Sequence, residues 1–191
     1  MKRMILMLAI LLAGALQSLA QNTLDGTWTY NKTDNRDFNE KGAVGKSDLK
    51  MSAKYVFDGD CFASWVKAVF NMDFTAHNEQ GELSDAVFYI EVIASTTGTL
   101  SLDGSALTLA PDAKKKPQIE VKTKIEGVPG GNMVKGMVVN PLKKQLSAEL
   151  KKVQNYKVVS ISETTLVLED ILSDKDIKAG KQPERVTLTR R

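Results

Sequence analysis

Few residues of this chain have the types and spacing that chemistry needs. "GAVGKS" at residues 42–47 has the outline of a phosphate-cradling loop, but the position five before Gly45 is Glu40. Such a loop carries its first glycine there and follows a buried strand, whereas this one follows the polar run "NKTDNRDFNE". His77 is the single histidine, beside Asn78 and Glu79 in an expected hairpin turn. Without a cysteine cluster it cannot build the usual zinc site. Cys61 is the only cysteine and adjoins Asp60. It has no neighbouring cation to draw out a thiolate, and a buried thiol is expected. Asp58 with Asp60, and Asp174 with Asp176, fall short of a complete calcium loop, and turn chemistry accounts for them. No acid, base and nucleophile converge, so the expectation is a protein that is not an enzyme, with no cofactor and no metal.

The elements that would position any site are mostly strands, since the hydrophobic pattern has period two. In "KYVFDGDCFASWVKAVFNMDF", Tyr55 and Phe57 share a face, and beyond the Asp58-Gly59-Asp60 turn so do Phe62, Ser64, Val66, Ala68, Phe70, Met72 and Phe74. The other face carries Cys61, Ala63, Trp65, Lys67 and Val69. A turn in "HNEQGELSD" leads into "AVFYIEVIAS", with Phe88, Ile90 and Val92 on one side. "GTLSLDGSALTL" reads as two short strands about Asp103-Gly104, a two-residue hairpin signal. "PQIEVKTKIEG", "YKVVSIS", "TTLVLED" and "RVTLTRR" bring the total to roughly ten.

One segment breaks the period. In "NPLKKQLSAELKKV", Asn140 is placed to cap a helix and Pro141 to open it. Leu142, Leu146, Leu150 and Val153 then follow at helical spacing, with Lys143, Lys144, Lys151 and Lys152 mostly opposite, which predicts an amphipathic helix near 140–153. "GVPGGNMVKG" before it and "SDKDIKAGKQPE" after it read as loops. Trp65 and Val69, with Val87, Tyr89 and Ile93, are apolar residues on the sheet's outer side; the leucine stripe is the expected cover, and the alternative is an exposed patch for a partner.

Residues 1–20 carry the three parts of a secretory signal. Lys2 and Arg3 are the positive start, Met4 to Leu16 the apolar stretch, and Ser18-Leu19-Ala20 the small-residue cleavage site. The apolar stretch is short of the roughly 20 residues that span a bilayer. Cleavage after Ala20 leaves residues 21–191 as one domain, with no cysteine near the cut for lipidation and no integral membrane span. The expected location is periplasmic or secreted. Without Lys2 and Arg3 the chain has 24 basic and 23 acidic side chains, so it offers no electrostatic footprint for nucleic acid. With one cysteine, it depends on packing rather than disulfides for stability. Many strands and one late helix imply an all-β, antiparallel up-and-down barrel of about 8–10 strands. A membrane barrel is disfavoured, because the strand of Ile119 presents Glu120, Lys122, Lys124 and Glu126 on its other face and the chain ends Arg190-Arg191.

The chain resembles the lipocalin-like (calycin) proteins, particularly the small secreted ones of Bacteroidetes-type bacteria. The resemblance rests on Gly26-Thr27-Trp28 opening the first strand, "YVFDGD", "TGTLSLDGSALTL", "ISETTLVLED" and the terminal "VTLTRR". It implies that Trp28 closes one end of the barrel against an arginine of the last strand, for which Arg190 is the match, with Gly26 admitting a close neighbour. It also implies a small hydrophobic ligand such as a fatty acid, isoprenoid or pigment. Tyr30, Tyr55, Phe57, Phe62, Val66, Phe70, Phe74, Phe88, Ile90 and Val92 would line the interior. The same residues also suit a solid core, in which case the barrel is a structural or protein-interaction module. The chain departs from larger lipocalins in lacking a disulfide and in placing two or three strands after its helix.

Overall fold

The computed structural model describes residues 24–40, 43–77, 83–127, 131–173 and 177–191. The expected signal segment, Asp174 and Asp176 therefore lie outside the described residues. The alternating pattern becomes nine strands: β1 (Gly26–Glu40), β2 (Ala43–Asp58), β3 (Cys61–His77), β4 (Leu83–Asp103), β5 (Ala106–Pro111), β6 (Gln118–Glu126), β7 (Gln154–Ile161), β8 (Thr165–Asp170) and β9 (Arg185–Arg190). One helix, α1, spans Gly131–Glu149. The strands are joined in the order β3-β2-β1-β9-β8-β7-β5-β4-β6, and a further β3–β4 pairing closes an antiparallel ring of eight strands. β6 stands outside the ring, hydrogen-bonded to β4.

The ring has two levels because its strands differ in length. β4 pairs with β5 over Gly98–Asp103 and with β6 over Val87–Ser95, on one continuous path. The change of partner falls at Gly98, where a Cβ would run into the backbone of Ala110 and come within 2.7 Å of Phe62. Only glycine admits that approach. β1 pairs with β9 at Trp28–Arg190 and Thr29–Thr189, while its pairing with β2 continues to Glu40–Ala43. Below this level the barrel is closed. Above it, β1, β2, β3, β4 and β6 continue as a flared sheet. Two Asp-Gly hairpins close the lower turns, with Gly59 and Gly104 both at φ +57°, the left-handed conformation that short hairpin turns require.

The closed level is packed solid. Trp28, Leu107 and Leu166 are 0% exposed, and Leu24, Phe57, Phe62, Leu100, Leu109, Leu168 and Leu188 join them in one cluster. Each such side chain stabilises the fold by about 1.5–3 kcal/mol. The flared edges are guarded by charge, which discourages pairing with another chain. β6 carries Lys122–Glu120 and Lys124–Glu126 ion pairs, and β1 carries Arg36 against Asp34.

Several expectations need correction. The helix begins at Gly131, so Asn140 does not cap it, Pro141 lies in its interior and Val153 lies beyond its end. Val138 and Val139 extend the half-buried stripe of Leu142, Leu146 and Leu150 back by a turn, and packing of that stripe outweighs the poor helix propensity of the glycines and valines. Pro141 has no N–H for the carbonyl of Met137, but both residues are exposed and water can serve it. The helix packs against β6 and does not cover Trp65, which is exposed. Two expected strands are one, because β4 runs unbroken through Ser95-Thr96-Thr97-Gly98. Residues 43–47 of the phosphate-loop lookalike are β2. The backbone of His77 ends β3, paired with Leu83, rather than lying in the turn. Cys61 is exposed, not buried.

Candidate ligand site above the filled end of the barrel

The bottom of the barrel is built around the first strand's entry. The indole Nε1 of Trp28 donates to the carbonyl of Leu24 at 2.6 Å. Arg190, directly paired with Trp28, places its guanidinium 4.6 Å from the ring centroid. The Arg190 Nη2 also donates to the carbonyl of Asp25 at 3.1 Å. Gly26 between them has φ +126°, a conformation that L side chains rarely adopt. The backbone angle, more than crowding, requires glycine here, since a Cβ would find Arg190 Nε no nearer than 3.8 Å.

Register places all ten expected interior residues on one face of the sheet. Phe57 pairs with Phe62, Ala53 lies between Tyr30 and Val66, Phe70 pairs with Ile90, and Val92 and Phe88 flank Ile90 on β4. They do not form a single pocket. Phe57 and Phe62 are inside the packed cluster, and Tyr30 and Tyr55 lean on its upper side. Val66, Phe70, Phe74, Phe88 and Ile90 lie higher, half-buried, with Val92 buried among them. Phe70 and Phe88 meet edge to face with centroids 6.4 Å apart, and Phe74 approaches Phe38 at 6.4 Å. The lower interior is filled by the buried cluster. The upper face is apolar and incompletely covered.

Between the two levels lies a polar belt. Tyr156 on β7 donates to Gln154 at 3.1 Å, and Ser64, paired with Tyr55, is buried. A cleft of about 410 Å³ at this level is lined by Gln154, Tyr156, Asp170, Lys181, Gln182 and Glu184. Burial pushes the phenols of Tyr55 and Tyr156 above their ordinary range, and Tyr55 adds to the shift of Tyr156. Burial, reinforced by Glu184, likewise raises the Asp170 carboxyl. Lys32 reaches Glu184 at 3.8 Å, linking β1 to the same rim. Reading the sequence missed Tyr156, Gln154, Asp170 and Glu184. Period two in "YKVVSIS" places Tyr156 and Val158 on one face, but the packing of Tyr156 and Tyr55 against one buried cluster leaves no local pattern.

The thiol of Cys61 donates to Asp60 at 3.5 Å, and that bond and the carboxylate's charge raise its pKa. Among the described residues, no three His, Cys, Asp or Glu side chains are grouped to hold an ion. Nor is any described helix long and apolar enough to cross a membrane. A hollow of about 780 Å³ lies beside Cys61 and Lys114 and reaches Phe62 and Gly98. What the interior arrangement offers is a polar rim of phenol, amide and carboxyl groups beside an apolar wall. No protein-family model matches the chain, and no curated protein matches it.

Proposed function

We propose that this chain is an exported, lipocalin-like binding protein, not an enzyme, that holds a small hydrophobic molecule on the inner face of the flared sheet. One observation carries the reading: the inward face is sealed at Trp28, Phe57 and Phe62, yet stays half-open at Val66, Phe70, Phe74, Phe88 and Ile90. Covering such a surface contributes about 25 cal/mol for each Å² of apolar area. The adjoining Tyr55, Tyr156 and Gln154 offer hydrogen bonds to a polar head, the combination expected of a small-molecule site. Export to the periplasm or medium rests on the N-terminal signal pattern.

A dansyl-labelled fatty acid tests the site. Wild-type protein should bind it with enhanced, blue-shifted emission. Phe70→Glu, with an unchanged melting temperature, should weaken binding by about tenfold or more, or 1.4 kcal/mol. Equal binding by a folded Phe70→Glu would place the ligand elsewhere. The filled lower barrel favours a second reading, a solid scaffold that presents a surface to a macromolecule. It gains if neither protein binds the probe.

A further inference from the structure

Trp65 lies on the outer face of β3 and is 43% exposed. An indole buries large area and usually finds cover, yet α1 lies against β6 and leaves this ring open. Register places Trp65 at the centre of a row that crosses five strands, Thr29–Lys54–Trp65–Ser95–Gln118. At about 4.8 Å between strands the row is about 19 Å long. Lys54 Nζ stands 5.3 Å from the indole centroid.

Two shallow grooves of about 240 and 280 Å³ share Trp65 as their dividing wall. Lys54, Lys67 and Arg191 line the first, and Lys115 and Lys116 the second. None of the described lining residues has a carboxylate side chain. Two of these cations already face carboxylates at the groove margins, Lys67 with Glu91 at 3.0 Å and Lys115 with Asp112 at 3.9 Å. The remaining polar positions are short hydroxyl and amide side chains, among them Thr29, Asn31, Ser95 and Gln118.

We propose that this face binds an acidic polysaccharide, laid across the strands with a sugar ring on Trp65. The C–H face of a sugar packs on an indole, the hydroxyl and amide side chains match sugar hydroxyls, and the cations meet repeating carboxylate or sulfate groups. The charged side chains that line the grooves are all cations, which favours an anionic chain over a neutral one. A bilayer is a poorer match, because a single ring walled by side chains on both flanks buries little apolar area. A nucleic acid strand stacks on successive aromatic rings, and the two grooves share one, Trp65.

The test is affinity electrophoresis and Trp fluorescence titration with polygalacturonate for carboxylate, heparin for sulfate and dextran as the neutral control. Vesicles of phosphatidylcholine and phosphatidylglycerol and single-stranded DNA complete the panel. Wild-type protein should be retarded by one or both acidic polysaccharides but not by dextran, with binding weakened by added salt. Trp65→Ala and the double variant Lys115→Ala/Lys116→Ala should each lose about tenfold or more in affinity at an unchanged melting temperature. The proposal is overturned if neither acidic polysaccharide binds, if Trp65→Ala binds as wild type does, or if dextran binds equally. Trp65-dependent binding of vesicles or DNA without the polysaccharides would also overturn it.

Discussion

The guanidinium of Arg190 lies 4.6 Å from the ring centroid of Trp28, and the two residues are paired across the β1–β9 ladder that closes the barrel. The same arginine bonds the carbonyl of Asp25, while the indole bonds that of Leu24. The first and last strands are thus clamped to the segment that enters the fold.

Arg190→Ala should therefore destabilise the protein. Loss of the cation–π contact alone is worth about 0.5–2 kcal/mol, or about 1–8 °C in melting temperature for a domain of this size. In a Trp65→Phe background the emission of Trp28 should also change. Arg190→Lys should recover only part of the loss, because an ammonium cannot stack as a planar group does. Thermal melts followed by fluorescence check all three.

The two levels of the interior should respond differently to truncation. Leu107 is 0% exposed in the packed cluster, so Leu107→Ala should cost about 2–5 kcal/mol. Phe88 is half-buried on the flared sheet, and Phe88→Ala should cost less than half as much while weakening the fatty-acid probe. Urea denaturation of the two variants, with probe titrations alongside, measures the contrast.

Alkaline pH should weaken the fold through the belt of phenols. Tyr55 and Tyr156 have folded pKa values raised by burial. The stability this provides is complete below about pH 10, where phenols of the unfolded chain ionise. It is lost as pH rises toward the folded values. Phenolate absorbance should show these two groups ionising late, and Tyr156→Phe should flatten the loss of stability above pH 10.

Pro141 lies inside α1, where proline is about 3 kcal/mol less favourable than alanine. Pro141→Ala should stabilise the protein by about 1–3 kcal/mol in chemical denaturation. A helix beginning at Asn140 would gain nothing, because proline suits a first turn.

Much of the barrel was legible because inward and outward residues alternate without interruption. The inner face of β3, from Phe62 to Phe74, and the charged outer face of β6 follow directly from period two. Polar Ser95-Thr96-Thr97 and Gly98 read as a strand break, but a bent strand that changes partners needs glycine at that point. The first turns of α1 were hidden because "GNMVKGMVV" has weak helix propensity, and the sheet beneath it compensates. A period assigns a side chain to a face without saying what covers the face. Reading from sequence therefore placed Trp65 and Cys61 on the correct side and misjudged their exposure. Period two set the ten residues on one face, as the register does, but carries no sign that Phe57 and Phe62 fill the closed level while Phe70 and Phe88 stay half-buried.

The central claim is that the lower barrel is solid and the flared sheet above it takes an apolar molecule. Native mass spectrometry of the protein purified without detergent, with an organic extract analysed in parallel, tests it most directly. The account predicts one adduct of a few hundred daltons, recovered as a lipid, that Phe70→Glu fails to retain. A bare mass for the wild type, with no adduct after incubation with a long-chain fatty acid, would contradict it.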